Sequence, residues 1–150
     1  MQHTVIQASP YSASVVIDTV ISTSAIETQV CASTSSSTWI AIIAKDVNAL
    51  DTYEIELVYD PDRLTFIQGM EDDPLRDIHN ILKQNGGTTL GFHANEISPG
   101  VLNISNALVG SNCEISGDGV LAVIAFKMNS MDSQEPANGR MYSLGEDNTI

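Results

Sequence analysis

The side chains that could perform acid–base or nucleophilic chemistry are scattered along this chain. Its three histidines, His3, His79 and His93, stand far apart, and no motif of a serine hydrolase, a zinc protease or a nucleotide-binding enzyme occurs in the sequence. The Ser- and Thr-rich residues 33–37 are typical of a solvated tract. A nucleophile needs a base within hydrogen-bond reach, and such a site usually leaves a local signature. We therefore predict that the chain is not an enzyme.

Neighbouring carboxylates could also serve as an acid–base pair or as metal ligands. Glu54 and Glu56 share one face of an alternating segment, about 7 Å apart by the rise of a strand. Glycosidase carboxylates have a similar separation but lie across a cleft, which an open strand face lacks. The acidic runs at residues 71–73 and 146–148 are rich in oxygen ligands without the alternating spacing of a calcium loop. We expect solvated turns and a helix cap there, and no metal or other cofactor.

The composition limits the classes of partner. The 150 residues are enough for one domain, and 43% of them are hydrophobic. The net charge of −13, with only six Lys and Arg, excludes nucleic acid and anionic membrane as partners, because phosphate binding needs clustered cations. No apolar run is long enough to cross a membrane, and the first residues do not read as a signal peptide. We expect a secreted or cell-surface domain excised from a larger protein, rather than a cytosolic one.

The two cysteines, Cys31 and Cys113, leave two interpretations open. They lack the close spacing of a metal site. In an oxidising compartment they could form a disulfide, which would stabilise the fold by about 4 kcal/mol for so long a loop. The other interpretation is two separate buried thiols.

Short β-rich runs separated by Gly, Pro, Asn, Asp and Ser predict an all-β sandwich. In the clearest run, residues 53–59, Tyr53, Ile55, Leu57 and Tyr59 share one face. The predicted domain spans residues 15–145, between tails at 1–14 and 146–150. Strands are predicted at 15–21, 39–45, 53–59, 88–93, 101–106, 120–128 and 141–144, with a further return of the chain to the core at Leu64 and Phe66. The side chains predicted to point inward from the later strands are Leu90, Phe92, Leu102, Ile104 and Phe126.

One short helix is predicted over residues 74–84. Asp73 can cap it, and Pro74 suits its first position. Apolar side chains follow at i, i+3 and i+7, and the pair Gly86-Gly87 ends the element. We expect this helix to lie as a lid over one edge of the core.

Two blocks of sequence resemble cohesin modules. The stretch TWIAIIAKDVNALDTYEIELVYDPDRLTFI is similar to their early strands, and GDGVLAVIAFKM resembles a later cohesin strand that begins with an Asp-Gly turn. The resemblance implies a nine-stranded jelly-roll β-sandwich, a fold also found in carbohydrate-binding modules. It further implies binding of a dockerin, a small helical module that carries its own calcium, on one flat sheet face. Such modules typically belong to secreted or surface-anchored scaffolding proteins, often in cellulosomes.

The resemblance and the strand patterns together predict a binding face. Glu54 stands where many cohesins have an acidic residue that bonds the partner helix, although Thr52 replaces a frequent Asn. If alternate residues of the 120–128 strand face the core, Leu121, Val123 and Ala125 form an exposed apolar stripe. The alternative is that this strand is buried on both sides. The predicted partner-binding residues are Thr52, Glu54, Glu56, Thr89, Gly91, His93, Asn103, Leu121, Val123 and Ala125.

Two other functions on the same fold are kept as alternatives. A carbohydrate-binding module needs a platform of aromatic side chains or a polar groove, and aromatics are only 5% of this chain. A structural module of a pilus, adhesin or secretion assembly would instead join its partners by strand or edge contacts.

Overall fold

The computed structural model describes residues 2–5, 13–19, 36–110 and 115–130, which form two antiparallel sheets of four strands each. The first sheet has the order β1-β4-β7-β6, with β1 at Gln2–Val5, β4 at Thr52–Val58, β7 at Val101–Val109 and β6 at Thr88–Ser98. The second has the order β2-β3-β8-β5, with β2 at Ser14–Asp18, β3 at Ser37–Leu50, β8 at Ile115–Met128 and β5 at Leu64–Met70. The all-β prediction is confirmed, with eight strands among the described residues rather than the predicted nine.

Local patterns explain most of these strands. In β4 every second side chain from Tyr53 is buried and those between are exposed, as the alternation predicts. In β3, which lies between β2 and β8, the consecutive residues Ile40, Ala41 and Ile42 are all buried, so both faces of the strand are covered there. The Asp60-Pro61-Asp62 turn then leads into β5, and the Asp60 carbonyl accepts hydrogen bonds from two backbone N–H groups beyond it.

The core fills the space between the sheets. The ring of Phe126 on β8 lies 4.8 Å from the ring of Tyr59, centroid to centroid, and 6.2 Å from that of Phe66, both edge to face. The other large side chains that are fully buried are Ile40, Ile42, Ile55, Leu57, Ile81, Leu82, Leu102, Ile104, Ile115, Leu121 and Ile124. The two sheets therefore close over Tyr59 and Phe126, as expected from the strand faces.

The predicted helix over 74–84 is wrong. The segment forms two 3₁₀ turns, Pro74–Arg76 and Ile81–Lys83, and the Asp73 side chain does not cap the first but pairs with Arg76. Ile81 and Leu82 are adjacent in the sequence and both are buried, whereas an amphipathic helix on a flat surface buries only one of its faces. The segment is held by its two short 3₁₀ turns and by contacts of the second turn with β6, β7 and β8.

Part of the segment predicted to be an N-terminal tail belongs to the first sheet, because Gln2–Val5 pairs with β4 as strand β1. Cys31, Cys113, the closing strand at 141–144 and the acidic run at 146–148 lie outside the described residues. In the described part of the chain, no helix is long and apolar enough to cross a membrane.

Candidate functional site

The outer face of the first sheet gathers most of the polar residues that the sequence singled out. Three strands contribute to it, and their registers arrange the outward side chains in rows. We call this surface the polar sheet face. Its four rows are Thr52, Ala107 and Leu90; Glu54, Ser105 and His93; Glu56, Asn103 and Asn95; and Val58, Val101 and Ser98.

A chain of hydrogen bonds crosses this face. The Ser105 hydroxyl lies 3.1 Å from Nδ1 of His93, and Nε2 of His93 lies 3.1 Å from Oδ1 of Asn103. The amide nitrogen of Asn103 donates to Oε2 of Glu54 at 3.0 Å. Because Oδ1 of Asn103 only accepts, a neutral His93 carries its proton on Nε2, and Nδ1 accepts from Ser105. Four side chains on three strands are thus held in one orientation before any partner arrives.

The side chains of Ser105, His93 and Asn103 contact one another in the same order as the residues of some hydrolase triads. Acyl transfer also needs N–H donors aimed at the developing oxyanion. Ser105 lies on β7, between β4 and β6, where the backbone N–H groups are bonded to the neighbouring strands. The arrangement therefore supplies directed hydrogen-bond donors and acceptors on an open surface, which suits recognition of another molecule.

Exposed aliphatic side chains lie in the first and the last of these rows. Leu90 is 71% exposed and Val58 is 38% exposed. A shallow depression beside Leu90 is lined by Thr52, Glu54, Ser105 and Ala107, together with Gly91. An exposed leucine next to preoriented polar groups provides apolar surface that a partner can cover.

A bulge explains why Leu90 is exposed. Gly91 has φ of 86°, a left-handed conformation, and the pairing register shifts between Leu90 and His93. Leu90 and His93 therefore both point outward, although they are three residues apart. Thr89 points the other way, and its hydroxyl donates to Oε1 of Glu71 at 2.7 Å. The predictions that Leu90 faces the core and that Thr89 belongs to the binding face are therefore wrong. The bulge could have been predicted from Gly91, because a glycine inside a strand pattern often marks one.

The predicted apolar stripe on β8 is also wrong. Leu121, Val123 and Ala125 are only 2%, 0% and 1% exposed, and they belong to the second sheet. The register skips Leu121, since Ile42 pairs with Ala122 and Ile43 pairs with Val120. This bulge turns Leu121 into the core. The alternative interpretation, a strand buried on both sides, describes β8 correctly.

The structure thus brings together six of the ten predicted residues on the polar sheet face, and these are Thr52, Glu54, Glu56, Gly91, His93 and Asn103. Leu90 and Ser105 belong to the same surface and were missing from the predicted set. Ser105 could have been included, since it alternates with Asn103 on the same strand.

A second polar cluster holds the segment between β5 and β6 against the sheets. Oε1 of Glu71 also accepts from the Asn106 amide at 2.8 Å, and Oε2 lies 3.0 Å from the Lys83 ammonium. Burial opposes ionisation of Glu71, but these hydrogen bonds outweigh it and lower its pKa. Lys83 also contacts Asp72.

The buried Asn80 completes this cluster. Its amide nitrogen donates to the carbonyls of Glu71 and Leu121, and its side-chain oxygen accepts from the backbone of Leu82 at 3.0 Å. Within the described ranges, no three His, Cys, Asp or Glu side chains are grouped closely enough to hold a metal ion. The carboxylates of the acidic run at 71–73 pair with cations of the same segment, Glu71 and Asp72 with Lys83 and Asp73 with Arg76.

Solved structures share this arrangement of sheets. The sixth cohesin from scaffoldin B of Acetivibrio cellulolyticus, in complex with a mutant Cel5 dockerin, matches with a TM-score of 0.55 and 23% identity, over 81% of this chain and 74% of that chain. The second type II cohesin module from the adaptor ScaA scaffoldin of the same organism matches with a TM-score of 0.59 and 14% identity, over 80% and 67% of the two chains. A type II cohesin–X-dockerin complex from that organism matches with a TM-score of 0.50 and 16% identity, over 65% and 64%.

No protein-family model and no curated protein matches the sequence. At the low identities of the structural matches, the likeness concerns the fold. The two antiparallel sheets and these matches together identify the fold of the chain as that of a cohesin module.

Proposed function

We propose that the chain is a non-catalytic module that binds a dockerin-type protein on its polar sheet face. The chain of hydrogen bonds that joins Ser105, His93, Asn103 and Glu54 carries this proposal. It presents fixed polar groups across three strands beside exposed Leu90. The fold supports it, since two of the similar cohesins were solved in complexes that contain a dockerin.

The mechanism is the docking of two rigid surfaces. A sheet face that is already hydrogen-bonded loses little conformational entropy when a partner covers it. Leu90 and Val58 would supply apolar area that leaves water, and Glu54 and Asn103 would set the orientation of the partner. Specificity among similar partners would then depend on the polar positions, since an unmatched partner leaves them without hydrogen bonds.

A protein partner suits this face better than a carbohydrate. Tyr53 and Tyr59 are buried, and the Trp39 ring lies under the Arg76 guanidinium at 4.7 Å from its centroid. These rings are therefore not available as a flat stacking platform for sugars. The expected setting is a secreted or cell-surface scaffolding protein, with calcium on the partner and no cofactor on this chain.

The test is capture of dockerins by the immobilised chain, with and without calcium. We expect calcium-dependent binding, because the partner fold depends on that ion. Leu90→Asp should weaken binding at least tenfold. The matched control is Leu75→Asp, which changes another exposed leucine, 94% accessible on the first 3₁₀ turn, and should leave binding within twofold. Equal loss in both variants, or no capture of any dockerin, would contradict the proposal.

A further inference from the structure

The charges of the first sheet are all of one sign. Its strands contain Glu54, Glu56 and Glu96 and no lysine or arginine. Four of the six cations of the chain lie next to carboxylates elsewhere, namely Lys45 with Asp118, Arg63 with Asp60, Arg76 with Asp73, and Lys83 with Glu71 and Asp72. Neither Glu54 nor Glu56 forms an ion pair with any described residue. The polar sheet face therefore presents carboxylates without cations of its own.

We propose, on the basis of the proposed function, that the partner places a lysine or arginine side chain against Glu54 and Glu56, with an aliphatic neighbour over Leu90. Charge complementarity argues for this occupant, because a carboxylate covered by an apolar or acidic surface would lose its water without compensation. Asn103 already donates to Oε2 of Glu54, which leaves Oε1 as the acceptor for the cation. Leu90 lies one row away, so the same partner segment must carry apolar area beside its basic group.

The test uses a panel of purified dockerin modules whose docking surfaces are basic, neutral or acidic. For a basic module, we expect Glu54→Gln with Glu56→Gln to raise Kd about tenfold. The control is Asp62→Asn with Asp77→Asn, which removes the same charge from exposed sites off the face and should change Kd less than twofold.

The outcomes separate this inference from the proposed function. If modules bind through Leu90 but the acidic ones are preferred, or if both double variants behave alike, the basic partner is overturned and the docking face stands. If no module of the panel binds, the proposed function fails and the inference fails with it.

Discussion

The His93 ring nitrogen Nε2 lies 3.1 Å from Oδ1 of Asn103, and this contact joins two neighbouring strands on the polar sheet face. Asn103 then donates to Glu54 on the third strand. One amide therefore bridges the imidazole and the carboxylate on which the proposed recognition depends. Removal of this bridge takes away the Asn103 contact of Glu54 and leaves His93 with its contact to Ser105, which makes Asn103 a sensitive position for a test.

Asn103→Ala should weaken partner binding three- to tenfold, because Glu54 and His93 lose their common anchor. The free energy of unfolding should fall by less than about 1 kcal/mol, since the lost hydrogen bonds lie at the surface. Calorimetric titration and urea denaturation would measure the two effects. Asn95→Ala is the control on the same face and should leave both values nearly unchanged; equal effects at the two positions would argue against the bridge.

Leu121→Asp should prevent stable folding rather than merely abolish binding. Leu121 is 2% exposed and belongs to the core cluster, so a carboxylate there would lose its hydration without a counter-charge. We expect a loss of more than about 4 kcal/mol, measured by urea denaturation monitored by circular dichroism. Leu75→Asp, at an exposed leucine, should remain fully folded. A Leu121→Asp variant as stable as wild type would contradict the buried position of β8.

Glu71 should make the fold sensitive to acid. Its pKa in the folded chain lies below the ordinary value of 4.5, so its stabilising contribution is complete above that value and is lost as the pH falls through the folded pKa. Glu71→Gln should therefore be less stable than wild type at pH 7, and the difference should shrink below pH 4. Urea denaturation at pH 7 and pH 3.5 measures this change, with Glu56→Gln as an exposed control. A difference that stays constant over this range would rule out ionised Glu71 as its source.

The two buried tyrosines of the core should respond in opposite ways to the loss of their hydroxyl. The Tyr53 hydroxyl donates to the Leu121 carbonyl at 2.6 Å, and burial raises its pKa, so Tyr53→Phe should cost about 1–2 kcal/mol. The buried Tyr59 hydroxyl has no hydrogen-bond partner in the described part of the chain. Tyr59→Phe keeps the contact with Phe126 and should be neutral or stabilising by up to about 1 kcal/mol. Thermal unfolding of both variants measures these changes in stability. A larger loss of stability in Tyr59→Phe than in Tyr53→Phe would mean that the Tyr59 hydroxyl is hydrogen-bonded.

Most of the fold could be predicted from the sequence in strands where buried and exposed residues alternate. The alternation of Tyr53, Ile55 and Leu57 places Glu54 and Glu56 on the outside of β4 without knowledge of any other strand. The same reasoning brought Tyr59 and Phe126 to the core, where their rings meet. Strand periodicity reports the environment of each residue directly, so these parts of the prediction are confirmed.

The tertiary structure alone decided which residues complete the face. The bulges at Gly91 and at Leu121 each reset the alternation of a strand, which moves Leu90 out and Leu121 in. A run such as that of β8 is apolar on both sides, so its pattern cannot tell whether one side meets solvent. Likewise, Ile81 and Leu82 are buried because the second 3₁₀ turn packs against strands that are distant in the sequence, which no helical spacing encodes. Burial of one strand depends on what its neighbours cover, and that information lies in pairing between distant segments rather than in the order of residues within one of them.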